Sequence, residues 1–310
     1  MLRICRYPLL LSVLCLLADY ALRPVYSTYY LGHSISPALE RELYSSQMQS
    51  TYQSLAKTIR HRAAECPRQR YLVAIAGAPG SGKTTIAHEV AKRINNNDAA
   101  PSDGPHKHNL SSDKPVSQSS SPSPTVCISI SMDGFHLPRS TLHTLPNKEA
   151  YRRRGAPWTF DADKAVEFVW CLRKWANNHE DGGNNTTEPI IYAPTFSHAL
   201  KDPVPDALPI PSSGAMRIIL LLEGNYLLLD EPPWDEIGQL VDLRVFVEAD
   251  PALTRERVAQ RHLQAGIEST IEDAYRRVDG NDLINGRLVN EKKVAGIDLV
   301  VTSLQEEIGG

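Results

Sequence analysis

The chain has 310 residues, with 33 Lys+Arg against 36 Asp+Glu for a formal net charge of −3, and 42% of its residues are hydrophobic. That length can bury a core without disulfides or a structural metal. The composition is too apolar for global disorder, and the near-neutral charge excludes the basic footprint of a nucleic-acid binder.

At the N-terminus, Arg3 and Arg6 precede an apolar run over 8–18 that Asp19 ends. The run is shorter than the roughly 20 residues a membrane-spanning helix needs, so no stable span is expected. Its shape fits a signal-peptide core or, with Arg23 and the Ser and Tyr that follow, a mitochondrial presequence. Residues 1–36 are therefore read as a leader, with or without a mitochondrial address. The five cysteines are odd in number and lack C-x-x-C spacing. Free thiols in a reducing compartment follow, which points to the cytoplasm and away from a zinc site. Residues 37–70 read as a helical extension with polar faces and no assigned chemistry.

From 71 to 305 strand and helix patterns alternate. A short β-rich run over 71–76 is followed by helical spacing of Ile86, Val90, Ala91 and Ile94. A second strand covers 126–132. Asp161 can cap a helix that runs to about 176, with Val166, Val169, Leu172 and Ala176 on one face. Short strands are expected at 189–192, 217–222, 243–247 and 299–301, the second of these mid-sheet. Asp250-Pro251 opens a helix that Gly266 ends, and Thr270-x-x-Asp273 opens another as a capping box. Repeated strand–helix units predict an α/β domain, a parallel sheet covered by helices on both faces. Segments 95–124 and 177–188 are polar, with almost no large apolar side chain, and read as disordered insertions. Segment 202–214, with prolines at 203, 205, 209 and 211, reads as irregular, since such prolines cannot serve a central strand. Prolines (22) outnumber glycines (18) because they gather in these stretches. Without leader and insertions roughly 200 residues remain, the size of one domain.

Gly77-Ala78-Pro79-Gly80-Ser81-Gly82-Lys83-Thr84-Thr85 fits G-x-x-x-x-G-K-[ST] at every position, with the strand before it and the helix after it. Such a loop wraps a polyphosphate with backbone N–H groups at a helix N-terminus. Lys83 would hold the β- and γ-phosphates, and Thr84 would ligate Mg²⁺. These residues imply ATP and Mg²⁺ as cofactors but do not by themselves separate a kinase from an ATPase or GTPase switch, or from a non-catalytic nucleotide-binding scaffold. No N-K-x-D base-reading string occurs, and the apolar strand ends in one carboxylate, Glu223. Asp133 ends the second strand, beside the phosphate loop, where a kinase needs a carboxylate to orient the acceptor hydroxyl.

Several strings resemble, in order, the phosphoribulokinase/uridine kinase family of P-loop kinases, which includes type I pantothenate kinases. They are the phosphate loop, Met132-Asp133-Gly134-Phe135-His136, Arg153 through Asp161, Ala193 through His198, Leu222 through Tyr226, and Arg257 through His262. The resemblance implies a P-loop NTPase-type sheet with a helical lid and transfer of a phosphoryl group to a small-molecule acceptor. It implies Asp133 as catalytic base, Glu223 on Mg²⁺, and Arg257 and Arg261 as lid arginines sharing a helix face. His136, Asp161, His198 and Tyr226 become candidate acceptor contacts. Phe196-Ser197-His198 stands where uridine kinases carry an aromatic-Asp pair and is closer to pantothenate kinases, so the acceptor stays open among nucleosides, pantothenate and sugars.

Overall fold

The computed structural model describes residues 36–96, 124–178, 190–212 and 216–305. The expected leader and nearly all of both polar insertions lie outside them. The described chain runs α1 (Pro37–Glu65), β1 (Arg70–Gly77), α2 (Lys83–Asn96), β2 (Thr125–Ser131), a 3₁₀ turn (Met132–Phe135), α3 (Arg139–Thr144), α4 (Ala162–Asn177), β3 (Ile191–Ser197), β4 (Asp202–Ile210) and β5 (Arg217–Gly224). It continues with α5 (Ile237–Leu240), β6 (Leu243–Ala249), α6 (Pro251–Gln264), α7 (Ile271–Gly280), α8 (Asp282–Glu291) and β7 (Leu299–Ser303).

Five strands form a parallel sheet in the order β2-β5-β1-β6-β7. All eight residues of β1 are buried, as a strand covered on both faces requires. The strand period of two sends Tyr71, Val73 and Ile75 to one face, where they pack with α1 and α2. Leu72, Ala74 and Ala76 face the other side, with Val166, Val169 and Leu172 of α4. The α1 helix is more than a polar extension. Met48, Tyr52, Leu55, Ala56, Ile59 and Ala63 make a buried stripe that completes the first face. At the amino edge of the sheet, Asp242 accepts from Leu72 N at 2.8 Å and pairs with Arg173 at 3.0 Å, fixing where β6 starts.

Segment 202–210 is a strand, which corrects the irregular reading. It pairs antiparallel with β3, also longer than expected, in a separate two-stranded ribbon. Each strand there has one partner, so prolines can sit where no N–H is needed. Pro203 and Pro209 stand opposite Phe196 and Tyr192, with a bulge between Ala193 and Thr195. Proline bars this segment from the main sheet, not from a ribbon edge.

Among the described residues no helix is long and apolar enough to cross a membrane, and Cys66, Cys127 and Cys171 are free thiols. Leu220, fully buried in the centre of β5, tests the core. Leu220→Ala should cost about 2–5 kcal/mol in urea unfolding.

Candidate active site

The phosphate loop leaves β1 at the carboxyl edge of the sheet and turns into α2, whose first helical bond is Ile86 N to Gly82 O at 2.9 Å. Gly80 has φ +79, and a Cβ there would stand 2.6 Å from Thr254 O. Only glycine fits, because the loop is pressed against α6 in a left-handed conformation. Arg257 clamps this contact. Its Nη1 donates to Gly80 O at 3.2 Å and Ser303 Oγ at 3.0 Å, and its Nη2 donates to Leu304 O at 2.5 Å. Arg257 therefore braces the loop from behind, a position different from the lid-over-phosphate placement expected of it. Ser81 is fully buried, while Ala78 and Pro79 form the rim next to α8.

Strand register gathers the charged groups. Ser131 on β2 is paired with Glu223 on β5, and Glu223 with Ile75 on β1, so Asp133, Glu223 and the phosphate loop meet at one edge. Glu223 is only 2% exposed. Thr84 Oγ1, at the first turn of α2, donates to its Oε2 at 3.0 Å. Burial lowers the pKa of Lys83, Glu223 and Asp133 oppose that shift, and Arg261 adds to it. Those interactions place Lys83 among both carboxylates and Arg261. A hydroxyl and a carboxylate are hard oxygen donors suited to Mg²⁺, which takes its remaining ligands from phosphate and water. Among the described residues no group of three or more His, Cys, Asp or Glu could hold a metal ion alone.

Asp133 is held by the 3₁₀ turn, its N–H donating to Ser131 Oγ at 3.3 Å, and its side chain remains 49% exposed. His136 folds back on it. Its Nδ1 lies 2.9 Å from Asp133 O and 3.7 Å from Oδ1. Burial lowers the His136 pKa against the opposing pull of Asp133, and the ring lies 3.9 Å from that of Phe160 and 5.3 Å from Phe196. The β3–β4 ribbon comes close enough that a Cβ on Gly134 would lie 2.4 Å from Pro194 O. Arg154 locks it there, donating to Asp202 Oδ1 at 2.9 Å, Lys201 O at 2.7 Å and Leu137 O at 3.3 Å.

The other expected acceptor contacts occupy different places. Asp161 Oδ1 accepts from Lys164 N at 3.2 Å and caps α4. Tyr226 is completely buried and donates to Gly155 O, so it supports the wall from behind. His198 is exposed at the ribbon tip, its ring 5.5 Å from Phe196.

Asn281, Asp282 and Asn285 are not singled out by the sequence, and Arg153 stands there only as the first residue of a matched string, without a role. Arg153 donates to Gly280 O and Asn285 Oδ1, each at 3.1 Å, and joins the 152–155 loop to the α7–α8 junction. The signal available was N-D-x-x-N directly after the capping-box helix. Arg255, by contrast, is spent on Asp279.

These features define a P-loop kinase: a parallel sheet with a phosphate loop after its central strand, a carboxylate at the end of the adjoining β5, and a second carboxylate in the turn after β2 on the far side of β5. The model of the phosphoribulokinase/uridine kinase family matches residues 72–266, and the chain belongs to that family. A Schizosaccharomyces pombe protein provisionally named a uridine kinase is 35% identical over 239 residues, 77% of this chain and 85% of that protein. The ATP-dependent kinase YFH7 of Saccharomyces cerevisiae is 38% identical over 180 residues, but the match spans 51% of this chain and 50% of YFH7. The YFH7 crystal structure, provisionally described as a circularly permuted P-loop kinase, superposes with a TM-score of 0.63 at 25% identity, covering 81% of this chain and 98% of that one. A Silicibacter structure provisionally described as a fructose transport system kinase gives 0.60 at 26% identity, covering 80% and 98%.

His262, buried on α6, has its pKa lowered to about 4 by burial and by Arg277 and Arg261. Between the ordinary value of 6.5 and about 4 the unfolded chain binds the extra proton, so stability falls as pH drops through that window. Chemical unfolding at pH 7.5 and pH 5 should show this loss, and His262→Gln should reduce it.

Proposed function

We propose that the protein is an ATP- and Mg²⁺-dependent kinase that transfers the γ-phosphoryl group to a hydroxyl of a small metabolite, a nucleoside, a pantothenate-like alcohol or a sugar. One observation carries the reading. The half-exposed carboxylate of Asp133 opens into the same edge as Lys83 and the Thr84–Glu223 pair. A carboxylate so placed can orient an acceptor hydroxyl, whereas β5 carries no second acid after Glu223 to position a hydrolytic water.

In this reading the backbone of Gly77 through Thr85 cradles the polyphosphate, and Mg²⁺ neutralises its charge when bound. Thr84 and Glu223 hold the cation. Lys83 and Arg261 balance charge on the transferring group. Asp133 orients the acceptor hydroxyl and takes its proton as the new O–P bond forms and the bond to the leaving diphosphate breaks. Arg257 keeps the loop seated while the α6–α7 pair serves as lid. His136, its pKa lowered, stays neutral near pH 7, and with its Nδ1–H donated to Asp133 O its Nε2 can accept one hydrogen bond at the acceptor.

The deciding experiment is ADP release with a panel of nucleosides, pantothenate and sugars, repeated with Asp133→Asn. The substitution should lower acceptor-dependent turnover about 10²–10⁴-fold while calorimetric binding of a non-hydrolysable ATP analogue stays within a few-fold. Full turnover in that variant would remove Asp133 from the chemistry.

A further inference from the structure

At the junction of α7 and α8, two asparagines four residues apart are almost wholly buried, Asn281 at 5% and Asn285 at 2% exposure. Each uses one end of its amide. Asn281 Nδ2 donates to Arg154 O at 3.1 Å, and Asn285 Oδ1 accepts from Arg153 Nη2 at 3.1 Å. These bonds fix which end of each amide is nitrogen, since a carbonyl can only accept and a guanidinium can only donate. The remaining ends, Asn281 Oδ1 and Asn285 Nδ2, are buried without a hydrogen-bond partner. A buried polar atom left unpaired is destabilising, so two of them side by side, one acceptor and one donor, call for a purpose.

Their surroundings supply one. Both side chains face Gly155, where an added Cβ would lie 4.0 Å from either amide nitrogen. Gly155 O is the acceptor for Tyr226, and the Phe160 ring, edge-on to Tyr226, also lies tilted against His136 beside Asp133. On the other side, the residue after Asn285 abuts the phosphate loop, with a Cβ on Gly286 lying 3.3 Å from Ala78. The pair is thus bounded by the wall carrying His136 and by the rim of the phosphate loop. The Asp282 carboxylate, only 14% exposed, lies 3.8 Å from His262 Nε2 on α6 with Arg261, Arg277 and Arg153 around it, so the choice of ligand rests on the two free amide ends.

We propose that Asn281 Oδ1 and Asn285 Nδ2 read the acceptor, recognising a neutral group that both donates and accepts a hydrogen bond, at a point separate from the hydroxyl that is phosphorylated. This rests on the kinase reading above and narrows its substrate class. The second hydroxyl of a polyol and the N–H/C=O edge of an amide or lactam share this chemistry. A group that only accepts, such as a carboxylate or phosphate, leaves the acceptor Asn281 Oδ1 unpaired.

The test uses the full chain with Mg²⁺ and a non-hydrolysable ATP analogue, reading thermal shift and then calorimetry. Its three arms are neutral polyols (pentoses, hexoses, glycerol), alcohols with an amide or lactam and no second hydroxyl (N-(2-hydroxyethyl)acetamide, 5-hydroxymethyluracil), and alcohols whose only second group is anionic (glycolate, lactate, 3-hydroxybutyrate). A hit in the first arm assigns the hydroxyl source, and one in the second assigns the amide. Asn285→Asp turns the free donor into an acceptor while keeping the oxygen for Arg153. It and Asn281→Ala should each weaken the neutral hit about tenfold or more, the equivalent of losing one buried partner, with analogue binding unchanged. Melting temperature without ligand identifies a variant that fails to fold, and the other then decides. Binding confined to the anionic arm, no binding in any arm, or a neutral hit indifferent to both substitutions overturns the proposal. A neutral hit that depends on the pair but is never phosphorylated overturns the kinase reading and leaves the pair standing.

Discussion

A carboxylate at the end of β5, buried to 2% exposure, is the constraint on which the rest of this site depends. Burying such a charge is costly unless positive charge and hydrogen bonds meet it. Here the Thr84 hydroxyl meets it directly, Lys83 supplies charge, and a divalent cation would complete the set. The parallel register makes this inescapable. With Glu223 opposite Ser131 on one side and Ile75 on the other, the phosphate loop and the Asp133 turn must both emerge beside it. The apolar run of β5 thus serves the site as well as the core, since its burial carries Glu223 to the edge.

The cleft opposite the loop is assembled from pieces that no single element could hold. Gly134 lets the ribbon come within contact of the Asp133 turn, and Arg154 bolts ribbon, 137 loop and Asp202 together. Arg153, its neighbour, reaches the other way to the α7–α8 junction. Two consecutive arginines therefore tie the 152–155 loop to the α7–α8 junction on one side and to the ribbon on the other. Arg257 does the corresponding work behind the phosphate loop.

Much of this was legible because it rests on local rules. The phosphate loop is a contiguous string, the sheet follows from alternating apolar runs, and Asp161, Asp250 and Thr270 each cap the helix their spacing foretold. What stayed hidden depends on partners distant in sequence. Nothing local separates Arg257, bonded to Gly80 and to residues 46 and 47 positions away, from Arg261, which faces Lys83 and Asp282. Tyr226 reads as pocket lining until its hydroxyl is seen on Gly155. The 202–210 strand was obscured because proline content argues against sheets in general, whereas a two-stranded ribbon escapes that argument. Asn281 and Asn285 stand in a short N-D-x-x-N string whose spacing implies no chemistry, and only their fixed amide ends and burial single them out.

On the proposed function, this edge of the sheet delivers phosphate to an alcohol and not to water. Phosphorus NMR of the full chain with Mg²⁺, ATP and its best-bound neutral acceptor tests it most directly. Transfer to the acceptor gives a phosphomonoester resonance growing in step with ADP. Growth of ADP with inorganic phosphate alone would contradict it.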